Sequence, residues 1–331
     1  MEKVLLGKSD LHISPIVFGA WAIGGIAWGV SDDDDALSAL KQSIDLGITS
    51  IDTAPMYGLG HSEKIVGKLV KEVGRDNVEI LTKFGLNWKT KKGEYLLDRA
   101  GPDGVSKQVY SYAGKDGIIQ ELEDSLRLLN TDYVDLYQIH RPDATTPIGE
   151  TMEAVEELIQ QGKIRAFGVS NHSVDLMKRA EAIAPIASSQ SPYSMIYRKI
   201  EKDIVPHCVE NNIGILAYSP LQRGLLTGKI TGDYKFAEDD HRPSTKWFKE
   251  PNRSRTNKFL QKIKPIADDR DVTLGQLVIN WTLRRPGITA VLVGARNQDQ
   301  AAQNAKSLDF TLSEEEIQKI NVELEKVVIE D

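Results

Sequence analysis

Gly47-Ile48-Thr49-Ser50-Ile51-Asp52-Thr53-Ala54-Pro55-Met56-Tyr57-Gly58 is the stretch on which the fold of this chain turns. A short apolar run reads as a buried strand and ends on a carboxylate, Asp52. A proline-bearing loop then delivers a phenol, Tyr57, just ahead of the flexible Gly58-Leu59-Gly60. Two later strand-like runs end in the same way. Val78-Glu79-Ile80-Leu81-Thr82 runs into Lys83, and Tyr133-Val134-Asp135-Leu136-Tyr137-Gln138-Ile139 runs into His140. An acid, a phenol, an amine and an imidazole therefore stand at or just past strand ends.

Working outward, the chain alternates. A hairpin is expected from 4–6 and 11–13 around the turn cluster Gly7-Lys8-Ser9-Asp10. Strands are expected at 16–18, 48–52, 78–83, 133–139, 165–169, 186–191, 213–219 and 289–293. The helices between them are expected at 33–46, 62–71, 117–129, 149–161, 173–183, 200–211, near 253–269, at 273–284 and at 298–306, with a closing helix at 313–326. The strands are continuous apolar runs, as in a parallel sheet buried on both faces. Eight strand–helix units are what a closed (β/α)8 TIM barrel requires, and its active site lies at the C-terminal ends of the strands. The expected fold class is thus α/β, with an N-terminal β-hairpin and a C-terminal extra helix, in one domain spanning 1–331. Two long loops, 85–116 and 220–252, fall on the expected active-site face; loops of that length are usually functional.

Composition narrows the classes. In 331 residues, Lys+Arg number 41 and Asp+Glu 48, a formal net charge of -7 that argues against non-specific nucleic-acid binding. The acidic run Asp32 to Asp35 precedes an apolar periodic segment and reads as a helix start. The lone cysteine, Cys208, sits mid-helix as packing and fits a reducing compartment. No run approaches the ~20 apolar residues of a membrane span, so a cytoplasmic protein without membrane partners is expected. Dinucleotide-binding and phosphate-loop glycine fingerprints, a Gly-x-Ser-x-Gly elbow and paired histidine ligands are all missing from the sequence, and no metal site is expected.

Taken singly, each group has an ordinary explanation. Asp52 reads as a loop cap, Lys83 as a solvated strand end, His140 as a structural histidine and Tyr57 as packing. Together at one end of successive strands they read as a catalytic set. A tyrosine hydroxyl beside an ammonium loses its proton more readily, so Lys83 is expected to lower the pKa of Tyr57. Asp52 supplies the counter-ion that a buried lysine needs. His140 orients a carbonyl beside the Tyr57 hydroxyl, and such a set protonates a developing alkoxide. The hydride that creates an alkoxide from an aldehyde or ketone comes from no side chain, which implies a nicotinamide cofactor.

The sequence resembles the aldo-keto reductase superfamily over nearly its whole length. The resemblance rests on Ile51-Asp52-Thr53-Ala54-x-x-Tyr57-Gly58 with Ser62-Glu63 and Gly67, on Thr82-Lys83, on Asp132 to His140, and on Gly162-Lys163-Ile164-Arg165-x-x-Gly168-Val169-Ser170-Asn171. Tyr218-Ser219-Pro220-Leu221-x-x-Gly224-Leu225-Leu226-Thr227-Gly228-Lys229 and Gly294-Ala295-Arg296 are similar to bacterial reductases grouped with the potassium-channel beta subunits. The resemblance implies a barrel that reduces small aldehydes and ketones with NADPH, giving NADP+ and an alcohol, with Tyr57 as proton donor and Asp52, Lys83 and His140 completing a tetrad. It implies that Ser170, Asn171 and Gln190 hold the nicotinamide carboxamide and that Tyr218 stacks on the ring. Ala20 and Trp21 would lie beside the nicotinamide ribose. Ser219, Pro220, Leu221, Gln222, Arg223 and Lys229 would line the pyrophosphate, with Arg242 clamping from the long loop. Gly294, Arg296, Gln300 and Asn304 would take the adenosine end, with Arg296 on the 2′-phosphate. Trp21, Trp28 and Trp88 are candidate walls of an apolar substrate pocket. Many family members carry Lys-Ser and then Arg where this chain reads Gly294-Ala295 and Gln300, so NADPH preference rests on Arg296 and Lys229. A different class remains open: a redox-sensing module that binds NADP(H) and turns over slowly. A third is a barrel lyase using Lys83 as a Schiff base.

Overall fold

The computed structural model describes every residue except 26–31, 102, 238 and 239. It opens with β1 (Val4–Leu5) and β2 (His12–Ile13), an antiparallel hairpin in which Val4 faces Ile13. Then come β3 (Ile16–Gly19), α1 (Asp33–Asp45), β4 (Ser50–Asp52), α2 (His61–Val73) and β5 (Glu79–Phe84). Three strands, β6 (Leu86–Asn87), β7 (Glu94–Ala100) and β8 (Ser106–Ser111), precede α3 (Lys115–Leu129). Alternation resumes with β9 (Val134–Ile139), α4 (Ile148–Gln160), β10 (Ile164–Ser170), α5 (Val174–Glu181), β11 (Ser188–Pro192), α6 (Ile204–Glu210) and β12 (Gly214–Tyr218). The chain ends with α7 (Asn252–Asp268), α8 (Leu274–Leu283), β13 (Ile288–Val293), α9 (Gln298–Ala305) and α10 (Glu314–Leu324). Strands β3, β4, β5 and β9 to β13 pair in parallel and close through β13 against β3, so the expected barrel, hairpin and extra helix are present.

Two layers of apolar side chains hold this shape. Val17, Leu81, Leu136, Ala166, Leu216, Ala290 and Leu292 fill the barrel interior, and Leu6, Leu11 and Ile13 of the hairpin join that cluster. The opposite strand faces, among them Ile80, Phe84, Tyr137 and Phe167, pack with helix residues such as Leu69, Leu122 and Val155. Side chains alternate along a strand. Two residues beyond Leu81 and Leu136, the inner face therefore presents Lys83 and Gln138, which are paired in register. The interior wall turns from apolar to polar toward the C-terminal end, and that change positions the site.

The helices begin where the sequence supplies caps. The Asp32 carboxylate accepts from the amides of Asp34 and Asp35, and Asp33 to Asp35 lie in the first turn of α1, at the positive end of its dipole. Gly67 lets α2 approach α3: a Cβ there would meet the Leu128 carbonyl oxygen at 2.1 Å. Gly67→Ala is expected to cost roughly 1–3 kcal/mol of stability through overpacking. Denaturant unfolding measures this, and a cost under about 0.5 kcal/mol would mean that the two helices separate freely.

The structure departs from the sequence expectation in three places. Segment 85–116 carries a three-stranded antiparallel sheet of order β6-β8-β7, closed by a turn in which the Gly101 amide donates to the Val105 carbonyl. Strand β7 is almost wholly exposed, with Tyr95 and Leu97 open to solvent, so no half-buried alternation marked it. Segment 220–252 contains 3-10 turns at Gln222–Thr227, Arg242–Ser244 and Lys246–Phe248, seated on Leu225, Ile230 and Phe248. The expected helix 200–211 is a 3-10 turn, Lys199–Glu201, followed by α6, because the Asp203 carboxylate caps the Ile204 amide at 2.7 Å and starts a new helix there. Cys208 lies fully buried in α6, where burial pushes its thiol up to about 12. No helix of the described residues is long and apolar enough to cross a membrane.

Candidate active site

Asp52 closes β4, Lys83 stands one residue before the end of β5, and His140 follows β9 directly. These ends lie side by side because β4 pairs with β5 and β5 with β9. Lys83 Nζ donates to Asp52 Oδ1 at 2.6 Å, to the Thr53 carbonyl at 2.9 Å and to the Tyr57 hydroxyl at 3.2 Å. The ammonium also lies 4.9 Å from the Tyr57 ring centroid. The His140 ring meets the Tyr57 ring edge-on, centroids 5.9 Å apart. All four groups of the expected tetrad are thus together. Beneath them Asp52 Oδ2 accepts from the side-chain amides of Gln190 at 2.8 Å and Gln138 at 3.2 Å, and Gln190 also donates to Gln138 Oε1 at 3.1 Å. Both carboxylate oxygens of Asp52 thus meet donors. Gln138 was missed by sequence reasoning, although its place on the Leu136 face, between Leu136 and His140, was the available signal.

The electrostatics follow from burial. Lys83 is fully buried, and desolvation works against its charge, yet Asp52 and Tyr57 more than offset it and hold the ammonium above its ordinary range. A lysine so firmly protonated is a poor Schiff-base nucleophile. Burial pushes the Tyr57 phenol upward, Lys83 pulls it down and Asp52 pushes it up again; the net is a raised value. Lys83 does lower it, as expected, but desolvation of the phenolate outweighs the ammonium, so the expected net fall is corrected to a rise. Tyr57 therefore keeps its proton at neutral pH, as a donor must. Burial, then Lys83 and Arg141, depress His140 well below the usual imidazole range, so its ring is neutral and presents one N–H.

The expected cofactor residues form a rim around this floor. The Asn171 side-chain amide donates to the His140 carbonyl and to Ser170 Oγ, both at 3.0 Å, and its Oδ1 accepts from the Tyr218 hydroxyl at 2.8 Å. Gln190, expected on a carboxamide, has its amide on Asp52. Ala20 is fully buried and its carbonyl accepts from Ser62 Oγ. Beyond Tyr218 the backbone is left-handed at Ser219, Gln222 and Arg223, φ 57°, 46° and 55°. Such conformations cost about 1–3 kcal/mol each and persist only where neighbours impose them. Here Ser194 Oγ donates to the Gln222 side-chain Oε1 at 2.8 Å, and Arg242 Nη1 donates to the Arg223 backbone carbonyl at 3.3 Å. Arg242 is itself gripped by both carboxylate oxygens of Asp240, so it braces the loop. Pro220 is buried, Leu221 half-buried and Lys229 exposed on this segment. At the far edge Gln300 Oε1 accepts from the Arg296 amide and the Asn304 side chain donates to the Gly294 carbonyl, so both shape the turn that presents exposed Arg296.

Over the mouth, the Trp21 ring lies 6.4 Å from Tyr57 and 5.7 Å from His241, with the Arg223 guanidinium 5.5 Å away. Trp21 thus stands beside the proton-bearing Tyr57, with His241, which the sequence did not single out, on its other side. Trp88 lines a groove with Lys89, Lys91, Lys107 and Tyr110 on the small sheet, a groove that includes no tetrad residue. Trp28 lies outside the described residues.

The model of the aldo/keto reductase family matches residues 15–324. The chain is 38% identical over 330 residues to the aldo-keto reductase YhdN of Bacillus subtilis, covering 99% of this chain and 95% of that protein. It is 34% identical over 319 residues to the NADH-specific methylglyoxal reductase of Escherichia coli, covering 95% of each. The structure of a glycerol dehydrogenase from Gluconobacter oxydans superposes with a TM-score of 0.87 at 35% identity, covering 100% of this chain and 97% of that one.

Proposed function

The chain belongs to the aldo/keto reductase family, and on that premise we propose that it reduces small aldehydes and ketones to alcohols with NADPH, Tyr57 being the proton donor. The observation that carries this is the Tyr57 hydroxyl, protonated, 3.2 Å from an ammonium that Asp52 locks in place. The rim fits a nicotinamide dinucleotide. The left-handed turn at Gln222 and Arg223, just beyond Tyr218, would bend around the pyrophosphate, with the Arg223 guanidinium beside it. Arg296, Lys229 and the N-terminus of α9 add positive charge. When bound, the cofactor would supply the hydride.

The protein's own groups do the rest. Tyr57 and the neutral His140 hold the carbonyl oxygen by hydrogen bonds from two sides, which polarises the carbonyl and fixes its approach. As negative charge grows on that oxygen, Tyr57 hands over its proton, and the Lys83 ammonium stabilises the phenolate left behind. Asp52, held by Gln138 and Gln190, keeps Lys83 from swinging away. Trp21 and His241 cover the mouth and limit water.

Oxidation of NADPH and, separately, of NADH with a reactive aromatic aldehyde tests this reading. Consumption of neither would overturn it. Because a relative is named for NADH specificity, the cofactor test is pointed: Arg296→Ala is expected to weaken NADPH by about 10- to 100-fold, the worth of a hydrogen bond between charged groups, and NADH by about threefold or less. Equal losses would remove Arg296 from the 2′-phosphate. One observation favours a second reading, a slow-turnover NADP(H) sensor: the Asp240–Arg242–Arg223 brace beside the pyrophosphate loop would retard cofactor exit. Rapid steady-state turnover would dispose of it.

A further inference from the structure

Behind the lysine strand, on the face away from the barrel interior, lie two carboxyl groups that the mechanism above does not use. Glu63, in the first turn of α2, is fully buried. One of its oxygens accepts from the Thr82 hydroxyl at 2.8 Å, beside Lys83, and the Ser125 hydroxyl lies within reach of the acid. Glu121, on α3, accepts with one oxygen from the Gly85 amide at 3.1 Å, with the Leu86 amide beside it. Ser125, one turn along α3 from Glu121, supplies the hydroxyl nearest Glu63. Two acids thus grip β5 on either side of Lys83 and Phe84, and among the described residues neither makes an ion pair.

A buried ionised carboxylate without a counter-ion is strongly disfavoured; the cheaper state is the protonated acid, whose O–H needs only one acceptor. The surroundings point the same way. The elements packed here contribute Thr82 and Lys83 from β5, Tyr137 from β9, and Asp124, Glu121 and Ser125 from α3. Asp124 is already ionised by its contacts to Lys89 and Arg127, so it repels further negative charge. Tyr137 directs its hydroxyl to the Ile118 carbonyl and offers the acids no proton. Lys83 is the one cation of the set that faces Glu63, and Asp52 already holds it.

We propose that Glu63 and Glu121 are a proton-holding pair of positioning residues, which fix the end of the lysine strand while neutral and, on losing a proton, place a negative charge behind Lys83. Burial is the largest cause that raises both acids, Glu63 to about 7 and Glu121 to about 8, with their mutual repulsion contributing to the second. Ionisation of the pair strengthens the field holding the Lys83 ammonium and raises the cost of forming the Tyr57 phenolate. Proton donation, and with it carbonyl reduction, becomes harder as the pair ionises.

The kinetic part rests on the proposed reductase reading; the protonation itself does not, and the experiment separates them. The sign is set by the raised values. Between the ordinary carboxyl range and about pH 7 to 8 the folded protein binds protons that the unfolded chain has released, so stability is greatest below that window and is lost as pH rises through it. Denaturant unfolding of the whole protein between pH 5 and pH 8.5 should show an unfolding constant rising about tenfold per pH unit for each such proton, and Glu63→Gln with Glu121→Gln should remove that part of the slope. Equal slopes in wild type and the double variant would overturn the pair. If the double variant fails to fold, the infrared carbonyl stretch of protonated carboxyl groups in wild-type protein decides. A band that disappears above neutral pH supports the proposal, and no such band at pH 6 sinks it. In kinetics, kcat for reduction should fall by up to about tenfold across an inflection near pH 7 that Glu63→Gln lacks, with cofactor affinity unchanged. An unaltered inflection in that variant would confine the pair to stability.

Discussion

Tyr57→Phe is expected to bind NADPH as the parent does and to reduce carbonyls about 10²- to 10⁴-fold more slowly, the range that a positioned general acid contributes. In free energy this is roughly 3–5 kcal/mol of transition-state stabilisation. The change deletes one oxygen atom. That oxygen accepts from Lys83 at 3.2 Å, so the folded protein loses one hydrogen bond, worth about 1 kcal/mol, and keeps the ring edge that meets His140. A small stability loss beside a large rate loss separates chemistry from folding. Because the proton moves only as the alkoxide forms, kcat and kcat/KM should fall together while KM stays put. A variant that keeps more than about a tenth of wild-type kcat would show that a solvent proton suffices and would take Tyr57 out of the mechanism. The raised Tyr57 and the depressed His140 set a direction as well: a protonated phenol and a neutral imidazole are poised for reduction at neutral pH, and Tyr57 itself keeps its proton into the alkaline range.

The parts of this site legible in the sequence were those tied to chain direction. A strand that ends on Asp52, one that runs into Lys83 and one that runs into His140 announce their side chains through position alone, because parallel pairing brings like ends together. The barrel was legible for the same reason: continuous apolar strands between amphipathic helices leave few alternatives. What escaped depends on contacts between distant residues. Gln138 and Gln190 sit 52 positions apart and meet only inside the closed barrel, under Asp52. Glu63 and Thr82 meet across the strand–helix layer, where the sequence shows only an acid in a helix and a hydroxyl in a strand. The sheet in 85–116 was hidden because β7 buries almost nothing, so the segment read as a loop; Trp88 lines a groove there with Lys89, Lys91 and Lys107. The direction of the Tyr57 shift was misjudged because a sequence names the charged neighbour but not the loss of solvent that outweighs it.

Lys83→Met is the substitution expected to damage stability most. The Lys83–Asp52 pair is almost wholly inaccessible, both side chains 1–2% exposed, with an N–O separation of 2.6 Å. Removing one member of a buried pair strands the other, which typically costs about 3–5 kcal/mol, whereas an exposed pair is worth about 0–1 kcal/mol. The loss should fall toward the lower end of that range, because Asp52 keeps the amide donors of Gln138 and Gln190 on its second oxygen. Adding Asp52→Asn to the same chain removes the stranded charge. The double variant is therefore expected to be more stable than Lys83→Met alone, by about 1–3 kcal/mol, although it has lost one more native group. Neither variant should turn over appreciably, since both leave the Tyr57 phenolate without its ammonium. Urea unfolding of the four proteins of this cycle measures the coupling directly. A single-variant cost near 1 kcal/mol, with no recovery in the double variant, would mean that water reaches the pair and that Asp52 and Lys83 are linked too weakly to hold the proton donor in place. A large cost with recovery would mean that the rigidity of the catalytic floor comes from one desolvated ion pair, and that Gln138 and Gln190 serve to keep its carboxylate satisfied.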